Sequence, residues 1–223
     1  MHRSSYLILV LSALLTSCGL MDIEQDEQPA FGMSLGRDTL YVMVGDRFSL
    51  SPVFSPSADV PADVYWTSSA DSVVSVADNV FTGVGEGWAL VRATSVSRLL
   101  EDSCHVNVMR RWESTFRDYP YEMMVYASVT VHGQPFDSET MVLGAFVEDE
   151  LRGVGEPMEW HGRQYVRFRV GSSISYVDPD GLDETVTFRV YHRRQLLYEE
   201  FPQTIDFDGE AHGTLSSLFS LSL

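Results

Sequence analysis

From Thr39 onward the chain alternates apolar and polar residues in short runs. They cover residues 40–44, 47–54, 64–67, 73–76, 89–94 and 104–109, with Gly, Asp, Pro and Ser clustered between them. Successive side chains of a strand point to opposite faces, so this period of two predicts strands with one buried face. No stretch beyond the first twenty or so residues sustains a helical period. A second series of longer runs follows Arg110-Arg111-Trp112, at 121–131, 141–147, 165–170 and 185–191. Many short strands separated by turn residues predict an all-β chain. The change of rhythm predicts two tandem β-sandwich domains, 38–110 and 111–223. In the first, Trp66 shares a strand face with Val64 and is expected to fill the centre of the sandwich, over the small residues Ala89, Val91 and Ala93. Gly45-Asp46 suits a tight turn.

The N-terminus has a different pattern. His2 and Arg3 precede an apolar run at 6–15 that is interrupted only by Ser12. A membrane-spanning helix needs about 20 apolar residues, so this run has the layout of a secretory signal instead. Leu15-Thr16-Ser17-Cys18 resembles the lipobox of bacterial lipoproteins. That resemblance implies cleavage of residues 1–17, a diacylglycerol on the Cys18 thiol and an acyl chain such as palmitate on the new amine. Each buried methylene adds about 0.8 kcal/mol, so two or three chains make a firm membrane anchor. The alternative is an ordinary signal with a chance cysteine. Residues 18–37 read as a solvated tether carrying Asp22, Glu24, Asp26 and Glu27. The acidic stretch resembles one that sends some lipoproteins to the outer face of the outer membrane; a plain spacer is the alternative.

Composition narrows the function. The chain has 223 residues, 44% of them hydrophobic, enough for a real core. Its net charge is −17, and every basic residue is arginine. Such a charge argues against a nucleic-acid partner and against lying flat on anionic lipid. With Cys18 lipidated, Cys104 has no intrachain partner; it begins an alternating run with Val106 and Val108 on its face, and reads as a buried thiol. Glu148, Asp149 and Glu150 are adjacent, so they cannot flank a substrate as a glycosidase pair does. The histidines lack zinc spacing, and there is no Gly-x-Ser-x-Gly elbow or phosphate-cradling glycine loop. No enzyme activity and no cofactor are expected. Asp178, Asp180 and Asp183 form a weak calcium candidate, since Asp-Gly between alternating runs is first of all a turn.

Residues 38–109 resemble the bacterial immunoglobulin-like group 2 (Big2) family. The matching segments are 40–46, 48–50 with Pro56, 64–69, 73–76, 83–87, 89–94 and 104–108. Trp88 departs from the family, which usually has a small or polar residue there. The resemblance implies an enzyme-free module for adhesion, spacing or carbohydrate contact. Residues 112–223 resemble a less characterised β-sandwich module of secreted and lipid-anchored bacterial proteins, on segments 121–127, 144–150, 152–154 and 186–191 with Phe207 and Gly213. If the strands are neighbours as the Big2 likeness implies, Tyr65, Trp88 and Leu90 form an exposed apolar patch for a sugar or a protein partner; the alternative is that it packs against the second domain. Arg167, Arg169 and Arg189 oppose inward residues and are candidates for an anion-binding face. The alternative is pairing with Glu184, Glu199 or Glu200. A binding, adhesion or presentation role at the envelope is expected, with glycan uptake or a structural spacer as the other readings.

Overall fold

The computed structural model describes residues 32–55, 63–96, 99–113, 116–173 and 184–223. The first nine strands are β1 (Gly32–Ser34), β2 (Thr39–Met43), β3 (Arg47–Phe48), β4 (Val53–Ser55), β5 (Val64–Ser68), β6 (Val74–Ala77), β7 (Val80–Gly83), β8 (Gly87–Ser95) and β9 (Glu101–Met109). One sheet has the order β2-β9-β8-β5 and the facing one β3-β7-β6, with β1 and β4 paired beside them. β2 runs parallel to β9 while the remaining neighbours are antiparallel. This is the arrangement of an immunoglobulin-type sandwich.

Three features of this half differ from the sequence expectation. Residues 47–54 do not form one strand: β3 joins β7, β4 joins β1, and Pro52, which has no N–H to give to a ladder, lies between them. Ordered structure reaches into the stretch read as tether, because β1 pairs with β4 and Leu35 is buried in the core, its N–H donating to Asp102 Oδ2 at 2.6 Å. Trp66 is only half-buried; it lies opposite Ala93 and meets Phe81 edge-on at 5.0 Å. Phe81, with no exposure at all, is the aromatic at the centre. The small floor is as expected, with Ala89, Val91 and Ala93 all buried.

A turn of 3-10 helix at Phe116–Asp118 leads into β10 (Tyr121–Val131), β11 (Gln134–Pro135), β12 (Met141–Val147), β13 (Glu150–Val154), β14 (Glu156–Trp160), β15 (Arg163–Ser172), β16 (Thr185–His192), β17 (Leu197–Asp206) and β18 (Phe219–Ser222). Their sheets are β11-β10-β15-β14, with β18 parallel to β10, and β13-β12-β16-β17. Alternate residues such as Met123, Val125, Phe168, Val170, Phe188 and Val190 fill the space between. His132-Gly133 and His161-Gly162 have positive φ at both positions, the backbone of the tight two-residue hairpin turn. Gly153 lets β13 of one sheet close on β15 of the other: a Cβ there would lie 2.3 Å from the Arg169 carbonyl oxygen.

Strands of the first series pair only with one another among the described residues, and so do those of the second. The two sandwiches nevertheless share packing. Met43, Trp112, Phe146 and Tyr191 form a common buried cluster, and Leu196 at the β16–β17 turn packs against the first core.

The candidate site at the junction of the two sandwiches

β2 is the outer strand of its sheet, and its free edge is taken up by the second sandwich. The Tyr41 N–H donates to the Leu196 carbonyl at 2.7 Å, and the Tyr191 hydroxyl donates to the Tyr41 carbonyl at 3.0 Å. Arg37 also donates to the Gln195 carbonyl. Burial pushes the Tyr191 phenol well above its ordinary pKa, with Asp46 adding to the effect, so it stays a donor at neutral pH. These bonds satisfy backbone groups that an open edge would leave exposed.

The same junction encloses a cleft of about 500 Å³, whose lining includes Trp112, Phe146, Tyr119 and Tyr198. Trp112 comes from the connecting segment and meets Phe146 edge-on at 5.0 Å. Tyr119 packs on Gly171, where a Cβ would fall 2.3 Å from its ring, and its hydroxyl donates to Glu150 at 2.6 Å. Burial and that bond raise the Tyr119 phenol to about 12. Glu86 and Asn107 border the cleft from the first sandwich, and Asp149, Glu150 and Arg189 from the second. Its lining contains no Ser, Thr, Cys, His or Lys. It offers aromatic surface, fixed charge and hydrogen-bonding groups.

A chain of rings runs to its lip. Tyr198 meets Tyr41 edge-on at 5.0 Å, and Tyr41 meets Trp88 at 6.0 Å. Both Tyr41 and Trp88 sit opposite Asn107 in the sheet, so their rings lean toward each other across it. Trp88 still keeps 55% of its surface in solvent. The expected trio is therefore divided. Leu90 and Trp88 are near one another on β8, but Tyr65 lies opposite Thr94, roughly 13 Å from Leu90 at about 3.3 Å per residue. Arg92 stands between, bonded to Glu101 at 3.0 Å.

The three arginines are not one face. Arg167 and Arg169 lie on β15 and Arg189 on β16, on the outer sides of opposing sheets. Each has a carboxylate: Arg167 with Glu156, Arg169 with Glu122 at 2.7 Å, and Arg189 with Glu200 at 2.8 Å and Asp149 at 3.1 Å. Only the Glu200 pair matches the partners expected from sequence. Glu184 belongs instead to Arg152, at 3.0 Å, and both are buried. Glu199 lies 2.9 Å from His192 and 3.1 Å from His132. Desolvation works against the Arg189 cation, but Glu200 and Asp149 outweigh it and raise its pKa. Asp178, Asp180 and Asp183, like Cys18, lie outside the described residues. Among the described residues no group of three His, Cys, Asp or Glu is arranged to hold a metal ion.

Cys104 is fully buried, on the strand face it shares with Val106 and Val108. Burial, with Asp102 and Asp38 nearby, pushes its thiol up to about 11. A pKa raised on folding adds stability that is complete below the unfolded value and is lost as pH rises through about 11. In a Cys18→Ser chain at pH 8, a disulfide reagent is expected to leave the native protein untouched and to label one thiol after denaturation. Rapid labelling of the native form would show that the strand opens or that the thiol is exposed.

No protein-family model matches the chain, and no curated protein does. Solved structures similar to it include domains 4–9 of the surface layer protein SbsC, at 11% identity and a TM-score of 0.31, covering 84% of this chain and 32% of that one. Domains 5–6 of the same protein give 11% and 0.28, covering 84% and 98%. The Bacteroides ovatus mixed-linkage glucan utilization locus protein SGBP-B, solved with a mixed-linkage heptasaccharide, gives 10% and 0.23, covering 76% and 43%. The chain thus spans about a third of the first of these structures.

Proposed function

We propose that this chain is a non-enzymatic, lipid-anchored protein of the outer membrane surface, a Big2-type domain and a second β-sandwich divided near residue 111, working as a binding or presentation module. The observation that carries the binding role is the cleft at the junction, where aromatic rings of the connecting segment and second sandwich meet hydrogen-bonding groups from both sandwiches. The edge bonds at Tyr41 hold its walls in place, so a ligand finds a preformed site. The lipobox-like Leu15-Thr16-Ser17-Cys18 and the acidic residues after it support the anchor and the surface location.

Cys18→Ser is expected to abolish metabolic labelling with a fatty acid and to release the protein or leave the uncut precursor; unchanged labelling would overturn the anchor. Protease added to intact cells should degrade the anchored protein, and full protection would place it on the inner side. The exposed face of Trp88 favours carbohydrate contact as a second reading. Glycan-array binding lost in Trp88→Ala would establish it, while a chain that binds no ligand of any class would be left as a spacer.

A further inference from the structure

Resting on the binding role just described, we infer that the junction cleft receives an arginine-bearing segment of a protein partner. Four carboxylates line it from three places in the chain: Glu86 before β8, Asp118 in the connecting turn, and Asp149 and Glu150 at the β12–β13 turn. Only two cations line it, Arg110 and Arg189. Both are already matched, Arg110 at 3.7 Å from Glu86 and Arg189 by Glu200 and Asp149, and Arg152 behind the cleft, 3.1 Å from Glu150, is matched by Glu184 at 3.0 Å. Asp118 enters no ion pair among the described residues, and Asp149 is 97% exposed. The cleft is thus left with negative charge and with acceptors. Ionised carboxylates only accept hydrogen bonds, and a guanidinium offers five donors and no acceptor. A neutral sugar would bring as many acceptors as donors, and those acceptors would find few partners here.

The aromatic walls point the same way. The protein's own arginines already rest on cleft rings: Arg189 lies 4.5 Å over Phe146 and 5.8 Å from Tyr198, and Arg152 lies 4.6 Å over Tyr119. A guanidinium on an aromatic face beside a carboxylate is the contact this cleft makes with itself. The whole-chain charge of −17 would draw a basic partner toward it.

The test is a calorimetric titration of the full chain in mild detergent. The probes are a hexa-arginine peptide, a hexa-glutamate peptide and a neutral glucose hexasaccharide. Glu86→Gln with Asp149→Asn removes one carboxylate from each wall. Asp78→Asn with Glu139→Gln removes the same charge away from the cleft. The arginine peptide is expected to bind, to weaken about tenfold in the cleft variant and to change less than about twofold in the control. The other probes should give no signal. Equal weakening in both variants would mean that the peptide senses only the overall field, and would overturn the inference. So would failure of the arginine peptide to bind. Saturable binding of the hexasaccharide, lost in the cleft variant, would overturn the cationic ligand and leave the binding role standing.

Discussion

Glu184→Ala is expected to cost about 3–5 kcal/mol, the range for removing one partner of a buried ion pair. Glu184 and Arg152 have side chains only 9% and 7% exposed, joined at 3.0 Å. The second carboxylate oxygen of Glu184 accepts from Ser172 at 2.5 Å. With Glu184 gone, Arg152 keeps Glu150 at 3.1 Å, but that carboxylate is 60% exposed and cannot follow the charge inward. The buried Arg152 Nε has no hydrogen-bond partner among the described residues. The guanidinium would be left largely desolvated, which is where the cost arises. Glu184→Gln keeps an acceptor and should lose less. An apolar double variant, Arg152→Met with Glu184→Leu, should recover most of the loss, because it removes both charges together. Denaturant titration reads all three. A loss under about 1 kcal/mol for Glu184→Ala would mean that water reaches the pair.

The sequence shows why this pair was hard to foresee. Glu184 was expected to partner an outward arginine of the β-strands, since cross-strand pairing is the common fate of such charges. Its actual partner is on β13, a strand that the alternation did not reveal. β13 is five residues long and carries Gly153, and β14, next in the chain, carries Pro157. Residues of this kind weaken the period-two signal. The same blind spot hid Glu156 from Arg167, although the two sit opposite each other once β14 is known. By contrast β10 and β12 occupy the residues expected of them, because each turns a strong apolar face to the second core, and β12 buries Phe146 on its other face as well. Strand existence follows from local pattern; register and sheet order depend on partners far along the chain, such as Tyr41 and Leu196. The junction is the extreme case. Trp112 was visible only as the place where the rhythm changed, and nothing local tells that Tyr191 and Phe146 close around it. Trp88 was visible as an outward aromatic, but its lean toward Tyr41 depends on β2 lying beside β9.

Trp112→Ala is expected to be as costly, and to change the character of unfolding as well. Trp112 is 9% exposed and packed between Phe146 at 5.0 Å and Tyr191 at 6.0 Å. Truncating a buried tryptophan costs about 3–5 kcal/mol. Here the lost contacts lie where the two sandwiches meet, in one cluster with Met43 of β2. In the unmutated chain this cluster and the Tyr41 bonds should couple the two halves into a single calorimetric transition. Without the indole, the links that remain include the two hydrogen bonds at Tyr41, its ring contact with Tyr198, the Arg37 contact, the Leu196 plug and a Met43 cluster stripped of its largest member. Hydrogen bonds contribute about 1 kcal/mol each, too little to keep two sandwiches melting together when one becomes less stable than the other. Trp112→Ala should therefore melt in two steps, and Tyr191→Phe, which deletes one bond and leaves the packing, should still melt in one. The cleft loses part of its lining in the same variant, so any ligand bound there should bind more weakly even at temperatures where both sandwiches stay folded. Two transitions in the unmutated protein would mean that the halves are independent. The fixed geometry proposed for the cleft would then have no basis, because walls that move separately cannot present a preformed site.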